Sequence, residues 1–164
     1  MSTYRSRGQV VIHDEFTPTY LLTWQPKAWD LEQPEYDARV VITRDTCGFI
    51  NGYSLGTNFR RILSGDHVLL YRHGYDGGVV ACGVVADDPY PRDEFGKEID
   101  EATNSQWWIE VRWTKWVPLD ARLTRDELKR LAPLTFRAPV QASGRGVDAS
   151  EAGKLWAAFW NTQH

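Results

Sequence analysis

Between Trp107 and Val117 side chains alternate without interruption: Trp107, Ile109, Val111, Trp113, Lys115 and Val117 on one side, Trp108, Glu110, Arg112, Thr114 and Trp116 on the other. An alternating segment of this length reads as a long strand whose first, mostly apolar set faces a core. Further extended segments accompany it. Thr19–Trp24 is β-branched and aromatic and is stopped by Pro26, while His67–Arg72 follows a Ser64-Gly65-Asp66 turn. Gly77-Gly78 leads from that strand into Val79–Ala86, so the two are expected to pair as a hairpin. Ala38–Thr43, with its Val-Val-Ile run, reads as another short extended piece. Cys47–Thr57, carrying Gly48, Gly52 and Gly56 around Phe49 and Tyr53, reads as a shaped loop.

Two helices follow the strands. Thr124 with Glu127 three residues on is a capping box over Thr124–Leu131, ended by Pro133. Asp148 and Glu151 repeat that spacing before Ala149–Thr162, where Leu155, Trp156, Phe159 and Trp160 form one apolar stripe that must dock on a sheet. Strands dominate and no βαβ alternation occurs, which predicts an α+β fold whose mixed or antiparallel sheet curls into a small barrel with peripheral helices. At 164 residues the chain supports one core. Residues 1–18 read as an N-terminal leader and 19–164 as a single domain. The apolar runs are too short to cross a bilayer, so a cytoplasmic protein with no membrane partner is expected.

The sequence is poor in catalytic chemistry. It has no Gly-x-Ser-x-Gly elbow and no phosphate-cradling Gly-x-x-x-x-Gly-Lys run. Asp120, Glu127 and Lys129 mimic a nuclease acid-x-lysine arrangement, but Glu127 is better explained as a capping residue. His67 and His73 read as structural, and Cys82 as a small hydrophobe within an apolar strand. No enzyme activity, no cofactor and no metal are expected.

Charge and aromatic residues are more informative. Eight acidic residues stand against two basic ones in Val84–Glu110, whereas Val111–Arg145 holds eight basic against three acidic. Of the eight tryptophans, Trp107, Trp113, Trp116, Trp156 and Trp160 are explained by packing between the long strand and the final helix. Trp24, Trp29, Phe49, Tyr53 and Tyr71 cluster instead around a strand end, a proline break and a glycine-rich segment, as the wall of a pocket for a planar ligand does or as a second core cluster does.

The order of segments is distinctive: Tyr20-Leu21-Leu22-Thr23-Trp24-Gln25-Pro26, Trp29-Asp30-Leu31, Arg61-Ile62-Leu63-Ser64-Gly65-Asp66-His67-Val68-Leu69-Leu70-Tyr71-Arg72-His73-Gly74, Gly78-Val79-Val80-Ala81-Cys82-Gly83-Val84-Val85 and Asp88-Pro89-Tyr90-Pro91. It resembles the EVE domain of the PUA-like superfamily. The ending Pro139–Val147, followed by a Trp-bearing helix, is similar to the version in modification-dependent restriction proteins. The resemblance implies a pseudobarrel that receives a modified base, flipped out of duplex DNA, in an aromatic cage. Trp24, Tyr53, Ser54, Asn58 and Tyr71 match the family's pocket layout, with Trp24 and Tyr71 expected to face the pocket together.

Chemistry adds Trp29 as a stacking wall, and Gln25, Asn58 and Gln141 as amides that offer donor and acceptor to a base edge. Arg44, Arg60, Arg61, Arg72, Lys115 and Arg145 are the candidates for backbone phosphates. Gly52–Phe59 departs from the Trp-x-Gly-Val-Arg-Asn-Tyr segment of the eukaryotic branch, which leaves the base open between 5-methylcytosine and 5-hydroxymethylcytosine. The expected partner is duplex DNA with a modified base, read alone or with a separate nuclease in restriction of foreign DNA. Two alternatives stand: an RNA-binding module of the same fold, and an enzyme acting on a modified nucleoside.

Overall fold

The computed structural model describes residues 17–56, 61–92 and 106–163. Strand β1 (Thr19–Trp24) is followed by α1 (Gln33–Asp45), β2 (Phe49–Gly56), β3 (His67–Arg72), β4 (Gly78–Val85), β5 (Tyr90–Arg92) and β6 (Gln106–Trp116). A 3-10 turn (Leu119–Ala121), β7 (Leu123–Thr124), α2 (Arg125–Leu131), β8 (Arg145–Gly146) and α3 (Ala149–Trp160) complete the order. All eight strands join one open mixed sheet with the order β2-β6-β4-β3-β1-β8, β5 pairing β6 and β7 pairing β4. β1 runs parallel to β3, and the other pairs are antiparallel. The expected β3–β4 hairpin is present. Of the expected leader, residues 1–16 lie outside the described residues.

Each face of the sheet carries its own core. On one, Tyr20, Leu22 and Trp24 of β1 pack with Val68 and Leu70 of β3, Tyr53 and Leu55 of β2, and Ile109, Val111, Trp113 and Trp116 of β6. Tyr36 and Val40 of α1 belong to this core. On the other, Leu21, Leu69, Tyr71 and Cys82 meet Leu128 of α2 and Leu155, Trp156 and Phe159 of α3. The alternation of β1, β3 and β4 thus serves both sides, whereas β2 gives its buried side chains to the first core alone. Trp113 and Trp116 accordingly lie on the face away from α3, and not between β6 and that helix as expected.

Three local expectations are corrected. Ala38–Thr43 belongs to α1 and is not extended. Tyr36, Val40 and Thr43 recur at helical spacing and are buried, Pro34 suits the first turn, and Val41 and Ile42 are left exposed. Burial of one face here outweighs the mild helix aversion of β-branched residues. The glycine-rich segment is strand β2, not a loop. Gly48 enters it with a φ of 93° and lies so close to the Trp113 carbonyl that a Cβ would collide with it. Finally, Glu151 does not close a capping box. Asp148 alone caps α3, accepting from the Ser150 N–H at 2.9 Å, whereas the buried Glu151 carboxylate accepts from the N–H groups of Leu134 (3.0 Å) and Thr135 (2.7 Å) and from the Thr135 hydroxyl (2.8 Å). The capping box of α2 is formed as expected, with Thr124 and Glu127 each holding the other's backbone N–H.

A bulge in β6 decides one further residue. Cys82 pairs with Lys115 and Gly83 with Trp113, so Thr114 is the extra residue and the alternation slips there. Lys115 consequently turns to the α3 side, only 2% exposed, with its ammonium donating to the carbonyls of Trp160 and Thr162, both at 2.6 Å. Burial lowers its pKa.

Candidate nucleic-acid interface

Trp24, the last residue of β1, lies in the aromatic core at 4% exposure. Its ring stacks on Tyr36 (centroids 6.0 Å, interplanar angle 25°) and lies 6.5 Å from Trp116. Pro26 prevents β1 from continuing, and the chain turns back with the N–H groups of Ala28 and Trp29 donating to the Gln25 carbonyl. That turn sets Trp29 edge-on to Trp24 (5.9 Å, 61°), and the Trp24 indole N–H donates to the Trp29 carbonyl at 2.7 Å. Tyr53, from the middle of β2, meets the Trp29 ring edge-on at 6.1 Å and donates its hydroxyl to the Thr23 carbonyl at 2.6 Å.

The polar ends of most of these rings are tied down, the buried Trp116 indole N–H being left without a hydrogen-bond partner among the described residues. Tyr20 donates to the Arg61 carbonyl (2.9 Å), Tyr36 to the Val117 carbonyl (2.6 Å), and the Trp113 indole to Asn51 Oδ1 (2.6 Å). A buried hydroxyl or indole N–H with a partner fixes ring orientation as well as avoiding a desolvation cost. Burial raises the pKa of both Tyr36 and Tyr53 far above the usual phenol range, so both stay neutral donors. The result is a rigid aromatic floor with one ring at its mouth: Trp29 is 39% exposed.

Two arginines press on this floor. The Arg39 guanidinium of α1 lies 4.9 Å from the Trp116 ring centre, 5.4 Å from Phe49 and 5.5 Å from Trp29, and pairs with Glu35 at 3.0 Å. Arg72, paired in register with Trp24, places its guanidinium 5.3 Å from the Trp24 ring. Cations over ring faces stiffen such a cluster, and each of these is also paired with a carboxylate, Arg72 with Asp76 at 3.9 Å. Sequence reading missed Arg39, Tyr36 and the covering role of α1. The spacing of Glu35 with Arg39, and of Tyr36 with Val40 and Thr43, was the signal that could have found them.

Of the expected pocket residues, Trp24, Trp29 and Tyr53 come together. Tyr71 does not. It pairs with Thr23, one residue before Trp24, so it faces the opposite core, where it stacks on Phe136 at 6.2 Å and its hydroxyl accepts from Arg125 Nε at 3.1 Å. Ser54, between the inward Tyr53 and Leu55, faces away from the floor and sits opposite Trp108. Gln25, next in the chain to Trp24, is exposed. Asn58 and Arg60 lie outside the described residues.

The phosphate candidates also separate. Arg61 is exposed, and Arg44 pairs with Asp45 on the surface. Arg72 covers Trp24. Arg145 donates to the carbonyls of Thr135, Ala138 and Pro139, which ties down that turn. Lys115 is withdrawn from any phosphate by its burial against the end of α3. Among the described residues no group of three or more histidine, cysteine or acidic side chains is arranged to hold a metal ion, and no helix is long and apolar enough to cross a membrane.

The comparisons agree on the fold. A Pseudomonas syringae protein has a TM-score of 0.58 at 13% identity, covering 86% of this chain and 99% of its own. The human THYN1 protein, in complex with 5-methylcytosine containing DNA, has a TM-score of 0.56 at 12% identity, covering 87% and 98%. The YTH domain-containing protein mmi1, in complex with RNA, has a TM-score of 0.50 at 7% identity, covering 96% and 88%. No curated protein sequence matches the chain. The EVE domain family matches residues 26–154, from the turn that carries Trp29 to the middle of α3, and with the eight-stranded mixed sheet already described this chain belongs to the EVE domain family, in the PUA-like α+β fold.

Proposed function

We propose that this chain reads a modified base in duplex DNA, 5-methylcytosine or 5-hydroxymethylcytosine, by stacking the flipped-out base on Trp29 above the Trp24–Tyr53 floor. The observation that carries the reading is Trp29 itself, a ring left 39% exposed at the edge of a buried aromatic cluster whose Trp24 and Tyr53 are held by hydrogen bonds. A structural relative holding 5-methylcytosine containing DNA supports the choice of ligand. A methyl at C5 changes no Watson–Crick donor or acceptor, so selection requires contact around the base, which extrusion permits. Extrusion costs a few kcal/mol, and one base–aromatic stack contributes about 1–3 kcal/mol. The amide of the exposed Gln25, next in the chain to Trp24, offers a donor and an acceptor to the base edge, and Arg61 is available to phosphate. On this reading the chain recognises rather than transforms its ligand, and it acts in the cytoplasm with a separate nuclease in restriction of foreign DNA.

RNA is the second reading, favoured by the RNA-bound relative of the same fold. A gel-shift panel separates the two. Duplexes identical except for one cytosine, 5-methylcytosine or 5-hydroxymethylcytosine are titrated beside RNA of matching sequence. Tighter binding of one modified duplex is expected. Equal binding across the duplexes contradicts the proposal, and tighter binding of the RNA replaces it with the second reading.

A further inference from the structure

The turn between β3 and β4, His73–Gly77, is held from several sides. The His73 N–H donates to the Trp24 carbonyl (2.8 Å) and the Gly77 N–H to the Gly74 carbonyl (3.1 Å). Arg125 donates through Nη2 to the Gly74 carbonyl (2.7 Å) and through Nε to the Tyr71 hydroxyl (3.1 Å). Arg122 donates through Nε to the Gly77 carbonyl (3.1 Å) and through Nη1 to the Leu119 carbonyl (2.6 Å). Gly77 bears no side chain where the Arg125 guanidinium lies, and a Cβ there would collide with it.

These two cations meet only neutral acceptors. The ion pairs among the described residues join Arg39 to Glu35, Arg44 to Asp45 and Arg72 to Asp76, and none involves Arg122 or Arg125. Nη1 of Arg125 and Nη2 of Arg122 make no hydrogen bond among the described residues. A guanidinium anchored by carbonyls keeps its full charge and its remaining donors, and its geometry is already fixed for a planar or tetrahedral oxyanion. At the tip between them Tyr75 is fully exposed. The turn adjoins the aromatic floor, because Arg72, the residue before His73, covers the Trp24 ring.

We propose that this turn is a second DNA contact: Arg122 and Arg125 take a backbone phosphate next to the received base, and Tyr75 enters the gap that the extruded base leaves. The inference rests on the base-reading function proposed above. In a duplex the faces of the bases are covered by stacking, so an exposed ring finds a face to stack on where one base has left.

The test is a salt series of binding titrations with three probes: a duplex with one 5-methylcytosine, its unmodified twin, and the single strand bearing the same 5-methylcytosine. Replacing both arginines (Arg122→Gln with Arg125→Gln) is expected to weaken both duplexes alike and to make the slope of log affinity against log salt shallower by about one, the share of one phosphate. Tyr75→Ala is expected to weaken the modified duplex about tenfold while changing the single strand little. A double variant with unchanged affinity and salt slope overturns the clamp, and Tyr75→Ala binding the modified duplex like the parent overturns the inserted ring. If the double variant unfolds, Tyr75→Ala decides alone, since its exposed ring supports no packing. A parent that does not distinguish the two duplexes defeats the base-reading proposal instead, while its salt slope on the unmodified duplex still judges the arginines.

Discussion

The two faces of the sheet are built to different ends. The face under α3 is closed by aliphatic packing with Tyr71, Phe136, Trp156 and Phe159, and its buried charged groups, Glu151 and Lys115, are spent on backbone N–H and carbonyl groups. The face under α1 sets Tyr20, Trp24, Tyr36, Tyr53, Trp113 and Trp116 among its aliphatic residues, each of its tyrosine hydroxyls holds a backbone carbonyl, and two arginines lie on its rings. Aliphatic packing contributes stability with little orientation, whereas hydrogen-bonded aromatics fix planes and angles. The second kind of face presents a preset stacking surface, and among the described rings packed against either core Trp29 is the most open, at 39%, where Trp160 on the other side is partly buried.

That contrast breaks most severely at the closed face. Phe159 is wholly buried, and Phe159→Ala is expected to cost about 3–5 kcal/mol by leaving a cavity under α3. Chemical denaturation measures it, and binding should fail for every ligand together with the fold.

Glu151→Ala ranks next. It strands the buried Thr135 N–H and hydroxyl, a loss of about 1–3 kcal/mol for the site, while water can reach the more open Leu134 N–H. A fall in the denaturation midpoint is expected, with Glu151→Gln milder because its amide oxygen still accepts.

The smallest stability effect lies in mild alkali, over the first unit above pH 9. Burial pushes the Cys82 thiol up to about 12 from an ordinary 9.0. Below pH 9 the thiol is neutral in both states; above it the unfolded chain loses the proton first, so stability falls as pH rises toward 12. The buried Tyr36 and Tyr53 act with the same sign above pH 10. Urea midpoints of the parent should fall relative to those of Cys82→Ala as pH rises above 9, the opposite contribution of Lys115, whose pKa burial lowers, being common to both.

Much of this was legible in the sequence because single elements advertise their own boundaries. Thr124 and Glu127 announce α2, Pro26 ends β1, and Gly77-Gly78 joins β3 to β4. What failed depended on contacts between elements. The Val-Val-Ile run of α1 reads as strand until Tyr36, Val40 and Thr43 find a shared core face. Gly48 and Gly52 mark β2 as a loop until Trp113 and Trp108 lie beside it.

The site was read least well for the same reason. Lys115 was a phosphate candidate by its charge alone, although uninterrupted alternation already set it beside Trp113 on a core side; the bulge at Thr114 turns it to the other core, where two carbonyls take its ammonium. Tyr71 looked like a partner of Trp24, although the parallel register that pairs it with Thr23 sends it to the other face. Arg39 carried no motif of its own, and its place over three rings follows from α1 packing on β6.

The central claim is that the half-open ring serves recognition while the buried rings serve the fold, and Trp29→Ala tests it most directly. Thermal unfolding is measured beside titrations with a 5-methylcytosine duplex and its unmodified twin. The account predicts a fold close to the parent's in stability, with about 1–3 kcal/mol lost from binding the modified duplex and the weak unmodified background nearly unchanged. A Trp29→Ala protein that folds like the parent and still separates the two duplexes equally well would contradict it.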